Sequence, residues 1–164
     1  MVKKAASKKI VLASDPFGVS LKSAIKEHLL GKGYEVIDLG TDSIEHFVPY
    51  FEISAKAARA VQSGVAERAI IFCGSGMGMA LTANKFKGIY CGLCESEFTT
   101  EMCRIVNNCN VLAMGAKVIT EQRAKNAVDL WLNTEFGQGM DTTTKKLLKE
   151  GVDELAKIEA ENFK

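Results

Sequence analysis

Five short runs rich in β-branched residues alternate along this chain with longer stretches whose apolar residues recur every three or four positions. The first pattern is typical of buried strands and the second of amphipathic helices. The predicted strands cover residues 9–14, 34–39, 68–73, 88–93 and 110–114. Strands separated by helices pair in parallel through right-handed crossovers. The alternation therefore predicts an α/β fold, a doubly wound parallel sheet of five strands with helices on both faces.

The pattern changes after Gly139, where a polar start at residues 142–144 leads into a charged helix with apolar residues at Leu148, Val152 and Leu155. A C-terminal helix with such a stripe either docks on a partner subunit or packs back on its own domain, and the sequence leaves both open.

The 164 residues are 47% hydrophobic, which is enough apolar material for one core. We predict one domain over residues 1–164, with a flexible segment at 1–8. A C-terminal arm at 140–164 is a candidate for exchange between the two subunits of a dimer.

Charge and cysteine content limit the partners and the compartment. Lys and Arg number 21 against 20 Asp and Glu, so no dominant basic surface points to nucleic acid or membrane. The apolar run behind the N-terminal lysines covers only residues 10–13, too short for a secretion signal or a membrane span. Five cysteines, an odd number, argue for reduced thiols rather than a disulfide framework. We predict a cytoplasmic protein.

A glycine-rich turn, Cys73-Gly-Ser-Gly-Met-Gly78, follows the third predicted strand and opens a helix. Ligands of such sheets bind beyond the carboxyl ends of the strands, and N–H groups of a first helical turn can hold a phosphate or an enediolate oxygen. The positive helix end also favours a thiolate, which makes Cys73 a candidate base or nucleophile. Nucleotide binding is a secondary alternative, because the turn matches neither a Walker A loop nor the dinucleotide fingerprint. A turn that only packs tightly and binds no ligand is a further alternative.

Two further strand ends carry polar residues. Asp15 follows the first strand, where it serves either as a helix N-cap or as a ligand contact, and its place beside the third strand favours the contact. Asn107 and Asn108 precede the fifth strand, where asparagines usually serve turns and less often contact a ligand.

The spacing of Cys91 and Cys94 resembles that of a metal or redox pair. Residues three apart in a strand face opposite sides of the sheet and cannot bind one ion, so we predict no metal site. His28 falls on the apolar face of a helix and is predicted to be structural, whereas His46, in a loop, has no assigned role.

Together these residues carry a resemblance. Asp15, the turn at 73–78, Ala83-Asn-Lys-Phe-Lys-Gly88 and the segment 107–115 are similar in order and spacing to the type B ribose-5-phosphate isomerase and galactose-6-phosphate isomerase family. The resemblance implies a Rossmann-like fold and a homodimer or homotetramer with the active site at the subunit interface. It also implies a small phosphorylated sugar as substrate, with no metal and no cofactor.

The resemblance further implies an aldose–ketose isomerisation through a cis-enediol, of ribose 5-phosphate in the first instance. Cys73 would be the base that moves a proton between C2 and C1. Asp15 would bind sugar hydroxyls, and Ser75 with the turn backbone would hold the enediolate. The substrate-binding residues would be Gly74, Gly76, Met77, Gly78 and Asn107.

Several positions depart from the family pattern. Pro16 stands where the family has a histidine, and Val48 where it has a tyrosine. Met140 and Thr144 replace two phosphate-binding arginines. Lysines bind phosphate as point charges, so other cations could supply the lost charge. The candidates are Lys85, Lys145, Lys146 and Arg104.

Val106 occupies the position of the family's ring-opening histidine and has no acid–base group. An isomerase without that group suits a sugar that never closes into a ring. Erythrose and erythrulose 4-phosphate are such sugars, because their only ring-forming hydroxyl is esterified. We therefore hypothesise a preference for one of these, or another short sugar phosphate, over ribose 5-phosphate.

Two other classes of function stay open. A non-catalytic sugar-phosphate-binding protein would bind saturably without proton exchange at C2. An enzyme that uses Cys73 as a covalent nucleophile would form an adduct that can be trapped.

Overall fold

The computed structural model describes residues 8–163. Its five strands form one sheet in the order β2-β1-β3-β5-β4, and every neighbouring pair is parallel. The strands are β1 Lys9–Ser14, β2 Glu35–Asp38, β3 Arg68–Cys73, β4 Cys91–Leu93 and β5 Val111–Gly115. The predicted doubly wound, five-stranded parallel sheet is confirmed.

A helix follows each strand, and one more ends the chain. These helices are α1 Val19–Gly31, α2 Tyr50–Gln62, α3 Met77–Ala83, α4 Glu97–Ile105, α5 Glu121–Asn133 and α6 Thr142–Asn162. A short 3₁₀ helix at Pro16–Gly18 precedes α1.

Each face of the sheet is covered by its own set of helices. Side chains alternate along a strand, so Ile70 and Phe72 pack under α1, α4 and α5, whereas Ile71 and Cys73 pack under α2 and α3. Trp131 of α5 is fully buried in the first of these cores. Both faces are therefore apolar, which explains why the central strands have continuous hydrophobic runs.

The helix arrangement leaves a crevice at the carboxyl ends of three strands. From β3 the chain turns to one face of the sheet, whereas from its neighbours β1 and β5 it turns to the other. A crevice opens where neighbouring connections separate in this way, and it is the usual ligand site of such folds. The residues that follow β1, β3 and β5 surround it.

The loop between β2 and α2 is fixed by a buried cation. Lys22 of α1 is 1% exposed, and its Nζ donates to Asp38 Oδ1 at 2.7 Å, Thr41 O at 2.8 Å and Asp42 Oδ1 at 3.2 Å. The Thr41 N–H also donates to Ser14 O, at 3.0 Å. The start of the loop is thereby held against the carboxyl end of β1.

The fourth strand is shorter than predicted. The sequence pattern placed its start at Gly88, but β4 begins at Cys91. Gly88 has a φ of 78° and follows a turn in which the Ile89 N–H donates to Phe86 O. A left-handed residue interrupts the extended backbone, so the strand starts only after it.

The C-terminal helix α6 has no buried residue. Its apolar residues Leu147, Leu155 and Ile158 are exposed. Glu159 connects it to the body of the protein, because its carboxylate accepts from the Gly88 N–H at 2.9 Å and from the Tyr90 hydroxyl at 3.5 Å. Leu148 and Val152 of the predicted stripe are half-buried and Leu155 is exposed, so this chain covers the stripe only in part.

The segment predicted to be flexible, residues 1–8, lies outside the described residues except for Lys8. Within residues 8–163, no helix has both the length and the apolar character needed to cross a lipid bilayer.

Candidate active site

The crevice contains a cavity of about 550 Å³. Two strand ends, a glycine-rich turn and the first residue of α2 contribute to its walls. The lining residues are Asp15, Phe17, Tyr50, Cys73, Gly74, Ser75, Gly78, Lys117 and Val118. The cavity thus brings together all three residues predicted to be catalytic, which lie up to 60 positions apart in the sequence.

Cys73 is the last residue of β3 and is largely buried. The Gly76 N–H donates to its Sγ at 3.0 Å, so the sulfur atom accepts a hydrogen bond from the glycine-rich turn. Gly76 has a φ of 77°, and a β-carbon there would lie 2.5 Å from Leu93 Cδ1 and 2.9 Å from the Met114 carbonyl carbon. Glycine is therefore required for the turn that aims this N–H at the thiol.

Ser75 follows in the same turn, and its Oγ accepts a long hydrogen bond of 3.4 Å from the Met77 N–H. The hydroxyl hydrogen remains available to a ligand in the cavity. The turn therefore presents a thiol and a hydroxyl donor to the same space.

Asp15 serves as a helix cap, one of its two predicted roles, and it also lines the cavity. It caps the 3₁₀ helix, with Oδ1 accepting from the N–H groups of Phe17 at 2.9 Å and Gly18 at 3.2 Å. Within residues 8–163 its Oδ2 makes no hydrogen bond, so that oxygen is available in the cavity. Burial raises the pKa of Asp15 above its ordinary value, although the two N–H groups oppose the rise.

Lys117 is the cation of the cavity, and the sequence analysis missed it. Its N–H donates to Gly74 O at 3.0 Å, and its ammonium lies 5.0 Å from the centre of the Phe17 ring. The side chain therefore runs beside the residue that follows Cys73. The available signal was its position two residues after β5, at a carboxyl strand end.

Phe17 and Tyr50 were also missed. Phe17 is 59% exposed and forms the wall under the Lys117 ammonium. Tyr50 begins α2, which follows a strand at the sheet edge, and nothing in its local sequence placed it near Cys73.

Of the predicted substrate-binding residues, Gly74 and Gly78 line the cavity, whereas Gly76 and Met77 belong to the turn without lining it. Lys85 is exposed beyond the end of α3, and Lys145 is exposed on α6. Neither is brought beside Cys73 in this chain.

Two other candidates for the phosphate charge have partners elsewhere. Arg104 is largely buried and donates to Cys109 O at 2.6 Å and to Asn108 Oδ1 at 3.0 Å. Lys146 pairs with Glu150 at 3.8 Å on the surface of α6.

The two asparagines before β5 differ in their roles. Asn108 has a φ of 51° and serves the turn, as predicted for asparagines at this position. Asn107 does not line the cavity around Cys73. It lines a second groove, which Cys109 also lines. The predicted ligand contact of Asn107 is therefore not formed within one chain.

That second groove has a volume of about 390 Å³ and is bordered by four thiols, and we call it the cysteine groove. Its thiols belong to Cys91, Cys94, Cys103 and Cys109. Cys91 packs against the core under α2 and α3, and Cys94 belongs to the opposite core, so the prediction that they face opposite sides is confirmed.

Two thiols of the cysteine groove donate hydrogen bonds to backbone carbonyls. Cys94 Sγ donates to Thr99 O at 3.4 Å, and Cys103 Sγ donates to Thr100 O at 3.1 Å. A hydrogen bond with Cys109, together with burial, raises the pKa of Cys103 to about 12. Burial also raises the pKa of Cys91. Both raised pKa values favour the neutral thiol form of Cys91 and Cys103.

The two histidines lie outside the cavity. His28 Nε2 is 2.9 Å from Asp129 Oδ1 on α5, in a surface cluster that includes Lys32. His46 is exposed, and its backbone carbonyl accepts from Thr41 Oγ1.

Comparison with known proteins gives consistent matches. A family model described as Ribose/Galactose Isomerase matches residues 10–148. A 4-deoxy-4-sulfo-D-erythrose isomerase from Clostridium sp. (strain MSTE9) is 40% identical over 92% of this chain and 95% of that protein. A D-erythrulose-4-phosphate isomerase from Pectobacterium atrosepticum is 34% identical over 79% of this chain and 86% of that protein. The structure of ribose-5-phosphate isomerase B from Clostridium thermocellum superposes with a TM-score of 0.86 at 37% identity, covering 93% and 98% of the two chains.

Proposed function

Because this chain belongs to the ribose/galactose isomerase family of sugar-phosphate isomerases, we propose that it interconverts the aldose and ketose forms of a short, open-chain sugar with a terminal anion. The observation that carries the proposal is the cavity in which the Cys73 thiol, the Asp15 carboxyl group, the Ser75 hydroxyl and the Lys117 ammonium meet.

Cys73 acts as the base. Its thiolate removes the proton from C2 of the aldose, and the electron pair of that bond forms the C1–C2 double bond of a cis-enediolate. A proton moves from O2 to O1, and the Cys73 thiol returns its proton to C1, which gives the ketose. A positioned base that can take and return one proton suits such a transfer. The steps use no metal and no cofactor.

The neighbouring groups hold the charge and the hydroxyls. The Ser75 hydroxyl and the backbone of residues 74–78 stabilise the oxygen that becomes negative. The free Oδ2 of Asp15 accepts from a hydroxyl of the sugar. The hydrogen bond from Gly76 to Cys73 Sγ supports the assignment of the base.

Lys117 binds the terminal anion. Its Cδ and Cε atoms lie 3.7 and 3.8 Å from the position that a β-carbon at Gly74 would occupy. The Lys117 side chain therefore runs along the cavity wall beside Cys73. One ammonium is a point charge that suits a phosphate or a sulfonate equally in geometry. The lysines predicted from sequence, Lys85 and Lys145, stay candidates for a site shared with a second subunit.

The absence of an acid–base group at Val106 favours a substrate that needs no ring opening. A four-carbon sugar esterified or sulfonated at C4 has no hydroxyl left for a furanose ring. Two relatives named for four-carbon substrates support this choice.

The test is incorporation of solvent deuterium at C1 or C2. We expect label in erythrulose 4-phosphate and in 4-deoxy-4-sulfoerythrulose with the native protein, and about 10³-fold slower labelling with Cys73→Ala. Equal kcat/KM for ribose 5-phosphate and erythrulose 4-phosphate would contradict the open-chain preference. Saturable binding without label would favour a binding protein, and a trapped adduct on Cys73 would favour covalent catalysis.

Ribose 5-phosphate is the second candidate substrate. It is supported by the close structural match to a ribose-5-phosphate isomerase B. Label entering ribose 5-phosphate faster than the four-carbon sugars would favour it.

The complete site is proposed to form between two copies of this chain. Asn107 lies in the cysteine groove rather than near Cys73, and α6 has exposed apolar residues, so both are available to a second copy. Mixing Cys73→Ala with Asn107→Ala tests this, because each mixed dimer contains one site with neither change. Recovery of activity on mixing is expected, and its absence from a stable mixed dimer would exclude a shared site.

A further inference from the structure

Tyr50 is an unassigned residue of the cavity that holds Cys73. It is the first residue of α2 and is 43% exposed, and its ring lines the cavity together with Asp15, Cys73 and Ser75. Val48, only two residues earlier, lines a different pocket with Phe51 and Glu52. The backbone at the start of α2 thus selects Tyr50 as the side chain that reaches the crevice.

The edge of the ring that bears the hydroxyl group packs against Gly78. A β-carbon at Gly78 would lie 2.7 Å from Tyr50 Cδ2 and Cε2 and 3.0 Å from Cζ. Since the hydroxyl is bonded to Cζ, it is held beside the same turn that carries Ser75. Only a glycine at position 78 leaves room for this arrangement without a shift of the ring.

The ring is held in place from two sides. Phe51 packs edge-on against it, with ring centres 5.4 Å apart and planes at 82°. The buried Ser54 hydroxyl, one helical turn further along α2, donates to Met79 O at 2.7 Å and so ties α2 to α3 beside Gly78. The position of Tyr50 relative to the turn is therefore fixed by the fold before any ligand arrives.

The Tyr50 hydroxyl has no hydrogen-bond partner among residues 8–163, although its ring is packed. The other polar groups of the cavity wall are already engaged in part, since Asp15 caps a helix and Ser75 accepts from Met77. A phenol both donates and accepts, so a sugar oxygen in the cavity would complete its hydrogen bonding.

We propose that the Tyr50 hydroxyl, held beside Gly78, binds an oxygen of the sugar, and that Tyr50 is a specificity-determining residue of this isomerase. The inference rests on the proposed function, because it takes the cavity around Cys73 as the place where the sugar binds.

The test compares Tyr50→Phe with the matched control Tyr34→Phe. Tyr34 precedes β2, at the amino ends of the strands and so at the end of the sheet away from the cavity, and it packs against the core under α1 and α5. We expect Tyr50→Phe to lower kcat/KM for erythrulose 4-phosphate by about 5- to 30-fold, as for loss of one hydrogen bond to substrate, while Tyr34→Phe stays within about twofold of the native protein.

Thermal unfolding of both variants separates binding from stability. Tyr50→Phe retains the ring and its packing, so its Tm is expected to equal that of the native protein. Unchanged kcat/KM in a normally folded Tyr50→Phe would overturn the inference while leaving the proposed function intact. No deuterium exchange by the native protein would instead refute the proposed function itself.

Discussion

The cavity around Cys73 and the cysteine groove contain the same reactive group in opposite settings. Cys73 receives a hydrogen bond from a backbone N–H, and a carboxyl group, a hydroxyl and an ammonium line the same cavity. Cys94 and Cys103 of the cysteine groove instead donate to backbone carbonyls. The two sites therefore differ in the hydrogen bonds that surround the sulfur atom.

The difference shows that cysteine content alone does not identify the reactive residue. Four of the five cysteines border the groove, yet the geometry of a single glycine-rich turn distinguishes the fifth. The following predictions test that distinction.

Removing the thiol of Cys73 is expected to have the largest effect. Cys73→Ala should lower kcat by about 10³-fold, within the ~10²–10⁴ range for loss of a general base. Cys103→Ala, in the groove, should keep near-native kcat. Deuterium incorporation at C2 measures both, and equal losses would show that the two thiols do not differ in function.

Alkylation measures the same contrast directly. A pKa of about 12 leaves Cys103 with about 10³-fold less thiolate than an ordinary thiol at neutral pH. Iodoacetamide should therefore modify Cys73, which lines the cavity, well before Cys103 in the folded protein. Peptide mass spectrometry over time identifies the order, and early labelling of Cys103 would contradict it.

Removal of the Lys117 charge is expected to have the next largest effect on activity. Lys117→Met is expected to lower kcat/KM by about 10- to 100-fold, because a hydrogen bond to a charged group contributes roughly 1.5–3 kcal/mol. Lys125→Met is the control, since Lys125 pairs with Glu121 on the surface of α5. A similar small loss in both would show that the terminal anion binds elsewhere.

The smallest expected effect is a change in the stability of the protein on replacement of Asp15, and its sign is definite. Its folded pKa is raised above 3.8, so the folded state binds the proton more tightly than the unfolded state. The corresponding stability is present below pH 3.8 and is lost as the pH rises through the folded pKa. Asp15→Asn should therefore melt above the native protein near pH 7, although it impairs activity.

The pH dependence provides the control for that measurement. The difference in Tm between Asp15→Asn and the native protein should shrink as the pH falls towards 4. A constant difference would mean that burial of the Asp15 charge does not limit stability.

Much of the fold was predictable from local sequence. The β-branched runs gave β1 and β3 with their observed bounds, because buried parallel strands need continuous apolar side chains. The glycine-rich turn was equally visible, since its conformation requires glycine at position 76. These features depend on residues close together in the chain.

The rest of the candidate site depends on strand order and packing. Lys117 lies beside Gly74 because β5 pairs with β3, although β4 comes between these two strands in the sequence. Tyr50 reaches the cavity because Gly78, 28 positions later, has no side chain. Such contacts join distant segments, and no local pattern records them.

The buried contact of Lys22 also has a consequence for the operating range of the protein. Burial disfavours the Asp38 charge, but the hydrogen bonds from Lys22 and Lys26 outweigh it and lower the pKa of Asp38. The resulting stability is complete above pH 3.8 and is lost only as the pH falls through the still lower folded value. The loop that leads to Tyr50 therefore keeps its anchor throughout mildly acidic and neutral conditions. If the proposed substrate is a phosphate ester, acidification would alter its ionisation well before it released this anchor of the loop.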